Sequence, residues 1–215
     1  LNMKTPGVEV RPIRMMSGDN ELNEVFLTDV RVPRKNLVGR EGQGWDIAKY
    51  LLTHERTSIA GVADCKAHLS NLRVAAAERR SGGRPLAEDA AMRLKLARAE
   101  IELMALEMTV LRVLAQAHKA PGPEASVLKV RGTELRQAIY ETLVDIAGPD
   151  AVPFSAEAQF LEHLDAAAQD ESLVTLAANC LDSRKVTIYG GTNEVQRNLI
   201  ARHLLGAEVV EPVVP

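Results

Sequence analysis

A carboxylate removes a proton from carbon most readily where it has lost part of its hydration, because desolvation raises its pKa toward neutrality. In a helical stretch such a group shows as an acid set among apolar residues three and four positions away, on a wheel of about 100° per residue. Glu55 qualifies, with Leu51, Leu52, Ser58 and Ile59 at those spacings, and Arg56 beside it points to another side. Glu100, flanked by Leu96, Ala97, Leu103 and Met104, qualifies equally, as does Glu107 between Leu103, Met104, Val110 and Leu111. The residues alone do not rank the three, and each also reads as a glutamate paired with a cation of a facing helix. Other chemistry is thinly represented. The histidines at 54, 68, 118, 163 and 203 lack metal-ligand spacing, and Cys65 and Cys180 form no Cys-x-x-Cys, so neither a zinc site nor a disulfide framework is expected. Ser81-Gly82-Gly83 and Tyr189-Gly190-Gly191-Thr192 are glycine-rich turns whose backbone donors suit phosphate, yet neither fits a P-loop or dinucleotide fingerprint, and both read as interhelical turns.

These residues need a scaffold, and the chain of 215 residues is long enough to bury a core without staples. Lys and Arg (26) nearly balance Asp and Glu (29) and are interspersed with them, which disfavours a nucleic-acid partner. No apolar run approaches the roughly 20 residues of a membrane span, and neither a signal peptide nor a transit pattern opens the chain. With unpaired cysteines, this predicts a reduced, cytoplasmic setting.

Residues 8–33 alternate as strands do, with a turn at Ser17-Gly18-Asp19-Asn20, and predict two short strands. Two strands are marginal alone, so they require further sheet or a helical layer, and with the opening Leu1-Asn2 this predicts a chain truncated at its start. After the loop Leu37–Gly44 the period becomes helical and runs unbroken to Ser81, a first helix of about 55 Å. Further helices are expected over Met92–Val113, Glu124–Ile146, Asp170–Arg184 and Asn193–Leu205, the last with Asn193 and Gln196 as a capping box and Gly206 as its C-terminal cap. Long helices with short breaks predict a mainly α fold: an antiparallel four-helix-type bundle over residues 41–215, preceded by a short β segment over 1–40.

The run Ile188-Tyr189-Gly190-Gly191-Thr192-Asn193-Glu194-Val195-Gln196-Arg197-Asn198-Leu199-Ile200-Ala201-Arg202 resembles the C-terminal signature of the acyl-CoA dehydrogenase family. Asn23-Glu24-Val25-Phe26, Val30-Arg31-Val32-Pro33, Gly42-Gln43-Gly44-Trp45, Glu55-Arg56 and Glu78-Arg79-Arg80 support it in order. The resemblance covers nearly the whole chain but only the C-terminal half of a family member: the end of the middle β-domain and the C-terminal helical domain. It implies FAD-dependent oxidation of an acyl-CoA thioester to the 2-enoyl thioester, with electrons passed to an electron-transfer flavoprotein.

The resemblance also implies roles. Many members carry the base directly after the signature tyrosine, where this chain has Gly190; a subset, including enzymes for branched acyl chains, carries it before an arginine on the first helix, matching Glu55-Arg56. Glu55 is then the base, and Glu100 and Glu107 are structural. Arg56, Tyr189 and Gly190 fall at the substrate; Arg79, Gly148, Thr192 and Glu194 fall at FAD. The family shares its FAD across a dimer, which implies a homodimer or tetramer. Gly82 replaces a usual aromatic, Ala147-Gly148-Pro149 a Gly-Gly turn and Asp145 a common Gln, so the alternatives are one subunit of a heteromeric, steroid side-chain type enzyme, or a non-catalytic helical interaction module.

Overall fold

The computed structural model describes residues 1–115, 122–151 and 175–206; the side chains of residues 52–59 lie outside this description. The alternating segment forms the hairpin β1 (Val8–Ile13) and β2 (Leu22–Leu27), antiparallel with Val8 opposite Leu27 and Ile13 opposite Leu22. Its turn is closed by Met15 N donating to Asp19 O (2.8 Å), and the Arg11 guanidinium lies 4.4 Å over the Phe26 ring. Val10, Val25, Phe26 and Leu27 are nonetheless exposed. An ion pair of Glu21 with Lys185 ties the hairpin to the helices.

The expected continuous first helix is two helices. α1 (Gly44–Ile59) stops before Gly61, whose φ of 60° and ψ of 34° lie in the left-handed region, and α2 (Val62–Glu78) begins after it. Periodicity missed the break because the apolar spacing continues across it, and the cause lies elsewhere in the chain. Ala60 is buried with its carbonyl against Gly132 of a later helix, so close that a Cβ on Gly132 would stand 2.2 Å from that oxygen. Glycine at 61 supplies the backbone conformation and glycine at 132 the clearance.

At the end of α2, Arg80–Ser81 (β3) and Arg84–Pro85 (β4) pair as a minimal hairpin. Gly82 and Gly83 between them have φ of 59° and 84°, as a type I′ turn requires, so this glycine pair is a connector. α3 (Ala90–Ala115) is capped by Asp89, whose Oδ1 accepts from Ala91 N and Met92 N. α4 (Glu124–Ala147) follows, then α5 (Leu176–Asp182) and α6 (Asn193–Leu205); the expected helical residues 170–174 lie outside the described part.

α4 is the axis of the bundle, packed by α1, α2, α3, α5 and α6. Its Leu128, Leu135, Ile139 and Ile146 join Leu69 and Leu72 of α2 and Leu103 and Leu106 of α3 in the main core. Cys65 is buried there, and burial pushes its thiol up to about 11, which makes it a small apolar filler. Tyr140 on another side of α4 shares a hydrogen bond of 3.1 Å with His68 Nε2 and packs with Leu176.

α2 and α3 run antiparallel, and Glu100 and Glu107 meet Arg73 (2.7 Å) and Lys66 across that seam. Both glutamates are thus part-exposed, paired surface groups. The expected capping box shifts by one residue: Thr192 is the N-cap of α6, its Oγ1 accepting from Val195 N (3.2 Å), while Asn193 and Gln196 turn inward. Gly206, at φ 62° and ψ 15°, ends α6 as expected.

Gly132→Ala tests the α4–Ala60 contact. In an exposed helix this exchange stabilises by about 1 kcal/mol; here overpacking against a backbone carbonyl is expected to reverse the sign, for a net loss of about 1–3 kcal/mol in urea denaturation. Thr192→Ala, which deletes a cap without altering the core, is expected to cost about 1 kcal/mol in the same assay.

Candidate functional site

The turn Lys129–Thr133 of α4 holds two distant parts of the chain at once. Gly132 receives the Ala60 carbonyl at the end of α1, and Lys129 and Thr133 hold Asn193 at the start of α6. Lys129 Nζ donates to Asn193 Oδ1 at 2.8 Å, Asn193 Nδ2 donates to Thr133 Oγ1 at 3.2 Å, and Thr133 Oγ1 also donates to Lys129 O at 2.8 Å. Lys129 is 0% exposed. Burial pushes its ammonium below the ordinary lysine range, with the Glu194 carboxylate opposing the shift.

Over this network lies the turn before α6. Gln196, buried beneath it, donates through Nε2 to the carbonyls of Gly191 (3.4 Å) and Gly190 (3.5 Å). A Cβ on Gly191 would come within 2.5 Å of that nitrogen, so the glycine lets the turn sit directly on the amide. Tyr189 is half exposed and Gly190 has φ of 65°. Glu194 is open to solvent; its own backbone N–H, then the Thr192 hydroxyl, holds its carboxyl below the usual carboxylate range, with Arg197 and Lys129 adding to the effect. Thr192, Glu194, Tyr189 and Gly190 are therefore gathered at one place. Glu55 and Arg56 lie in α1 about one turn before the Ala60 contact, which brings the end of that helix to the same turn of α4; their side chains lie outside the description.

The other expected cofactor residues lie at the far end of α4. Arg79 at the end of α2 pairs with Asp150 (Nη1 to Oδ2, 2.8 Å) and donates through Nη2 to Ala147 O (3.3 Å), beside Gly148 at φ 60°. These groups border a cleft of about 600 Å³ between α2, α4 and α5, lined by Asn71, Val74, Glu78, Arg79, Leu143 and Ala147. Asp145 is held by Lys95 at 2.7 Å. From Lys129 to Gly148 along the helix is about 28 Å, so Arg79 and Gly148 do not join Thr192 and Glu194 within one chain.

Lys129 and Asp150 were not singled out from the sequence, and Asn193 and Gln196 only as a capping box within the signature run. Lys129 carried a readable signal: Ala125, Ser126, Gly132 and Thr133, all small, stand three and four residues away, which lets neighbouring backbones close over a cation. Asp150 had none, because its pairing with Arg79 is set by the meeting of two helix ends.

Among the described residues no helix is long and apolar enough to cross a membrane. The family profile described as "Acyl-CoA dehydrogenase, C-terminal domain" matches residues 42–205. Acyl-CoA dehydrogenase IpdE1 of Mycobacterium tuberculosis is 35% identical over 204 residues, 94% of this chain and 48% of that protein. IpdE1 of Mycolicibacterium smegmatis is 32% identical over 205 residues, 94% of this chain and 46% of its own length. Among solved structures, the ChsE4–ChsE5 complex from Mycobacterium tuberculosis superposes with a TM-score of 0.75 at 28% identity, covering 97% of this chain and 52% of that one. The chain thus spans about half the length of these relatives. The profile match over most of the chain, on the bundle whose α4 gathers the signature turn and the end of α1, shows that this protein belongs to the acyl-CoA dehydrogenase family.

Proposed function

We propose that the protein works as an FAD-dependent dehydrogenase that converts an acyl-CoA thioester to its 2-enoyl thioester, with Glu55 as the base. The observation that supports this most directly is the convergence on Lys129–Thr133 of α4 of Ala60, about one turn beyond Glu55 and Arg56, with Asn193, which follows the Tyr189–Thr192 turn. With glycine at 190, no side-chain carboxylate at the signature position competes with Glu55 for the α-proton. In this reading the Glu55 carboxylate takes the α-proton, Arg56 helps place the CoA-bearing substrate, and Tyr189 and Gly190 border it.

The residues fit FAD. Thr192 and Glu194 present a hydroxyl and a carboxylate at the outer side of the α6 turn, suited to a polar heterocycle with donors and acceptors. Arg79 stands partly exposed at the cleft mouth, and its guanidinium can exchange Asp150 for a pyrophosphate, with Gly148 leaving backbone room beside it. Their separation along α4 fits a cofactor shared between subunits. When bound, FAD would supply the acceptor for the hydride that leaves the β-carbon. An acyl-CoA substrate and an electron-transfer flavoprotein are then the partners, in a homodimer or tetramer.

The Asp150 and Lys95 pairings favour a second reading, a heteromeric enzyme in which a different chain completes the flavin site. Arg79 and Asp145 already have partners, and Gly82 sits in a tight hairpin with no aromatic to offer. Co-purification of a distinct, homologous subunit distinguishes it from the homomeric form.

Anaerobic addition of acyl-CoA thioesters to the purified holoenzyme is expected to bleach its flavin absorbance. Glu55→Gln should keep the circular dichroism and flavin content of the parent and slow bleaching by at least about 100-fold, the scale of a lost general base. Bleaching at the parent rate in the Gln variant refutes the assignment of the base.

A further inference from the structure

We infer that Lys129 is a positioning residue whose buried ammonium, fixed against Asn193 under the Tyr189–Glu194 turn, raises the reduction potential of the cofactor bound at that turn. The inference rests on the functional reading above and deepens it, since neither the signature nor the expected site residues include Lys129.

The placement of this charge is unfavourable for the protein alone. Lys129 is wholly buried, and its acceptor is the neutral carboxamide oxygen of Asn193 at 2.8 Å. Among the described residues no carboxylate forms an ion pair with it: Glu194, the carboxylate that acts on it, is solvent-exposed and lies 3.6 Å from Arg197. The charge also stands at the N-terminal, positive end of α6, where the helix dipole repels a cation. A methionine would fill the same space with neither penalty.

The ammonium sits in a buried setting that is polar but uncharged. Ser126, Thr133, Asn193 and Gln196 are all buried around α4 and α6, so little solvent screens the ammonium from within. On the outer side stand Gly190 and Gly191, which contribute backbone only, with Gln196 packed directly beneath Gly191. Asn193 Nδ2 donates to Thr133 Oγ1 while its Oδ1 accepts from Lys129, so the carboxamide that holds Lys129 is itself fixed in orientation. A group that gains negative charge against this turn is stabilised by the ammonium and the α6 dipole together. A flavin is such a group, because two-electron reduction leaves it more negative than the oxidised ring.

The test is the midpoint potential of the holoenzyme's flavin, titrated spectroscopically in the parent, Lys129→Met and Asn193→Asp. Methionine removes the charge and keeps the stem; aspartate leaves Lys129 in place and neutralises it with an almost isosteric carboxylate. Both variants are expected to lower the reduced-to-oxidised ratio at a fixed potential by at least tenfold, a shift of about 30 mV for a two-electron couple. A purely structural role would instead lower flavin content or thermal stability while leaving the potential of the retained flavin unchanged, and that result overturns the inference. Should Lys129→Met not fold, Asn193→Asp decides alone, by the same criterion. A purified parent protein that neither carries nor takes up flavin refutes the functional reading, whereas flavin present at a potential unshifted in the variants refutes only the role of Lys129.

Discussion

Everything at the candidate site depends on how closely one backbone approaches another. The Ala60 carbonyl lies against Gly132 with no room for a β-carbon, and that contact fixes where α1 ends, how α2 leaves it and which turn of α4 faces both. The same turn supplies Lys129 and Thr133 to Asn193, so a displacement of α1 relative to α4 would be felt in the glycine turn before α6. Steric fit and a polar network thus act on adjacent positions of one helical turn, the first excluding a side chain and the second burying a charge.

Two classes of charge are distinguished by this arrangement. Glu100, Glu107, Arg79 and Asp145 all sit near helix surfaces or ends, each with an oppositely charged partner and much of the side chain in water. Such pairs contribute little to stability, on the order of 0–1 kcal/mol each, and lie along the seams between α2, α3 and α4 that the apolar core holds together. Lys129 is of the other kind, being enclosed and held by neutral oxygen. Its cost is borne by the fold, which places it under the turn where the family signature lies.

Much of this was readable in the residues. Strand alternation over Val8–Leu27, the extents of α3, α4 and α6 and the αL stop at Gly206 follow from local spacing and local caps, which is information that neighbours in sequence carry. The break at Gly61 was not, because the helix there is interrupted by a carbonyl seeking Gly132, and only the folded chain brings the two together. The cap of α6 was misplaced by one residue for a related reason. Asn193 has the chemistry of a cap, but Lys129 and Thr133 claim its side chain, leaving Thr192 to cap the helix. Wheel arithmetic found three glutamates in apolar company and offered each a cation from a facing helix, but could not say which residues would supply it; Lys66 and Arg73 do so for two of them.

The position of α4 in the order of synthesis adds a consequence. α1, α2 and α3 leave the ribosome before the helix they all pack against, and contacts such as Cys65 with Gly132 span 67 residues. Until residues 124–147 emerge, Leu69, Leu72, Leu103 and Leu106 have no central partner and stay available to other apolar surfaces. Non-local closure of this kind is slow relative to helix formation. The nascent chain therefore passes through a stage in which the apolar faces of α1, α2 and α3 await their axis, the stage at which it is most open to association with other apolar surfaces.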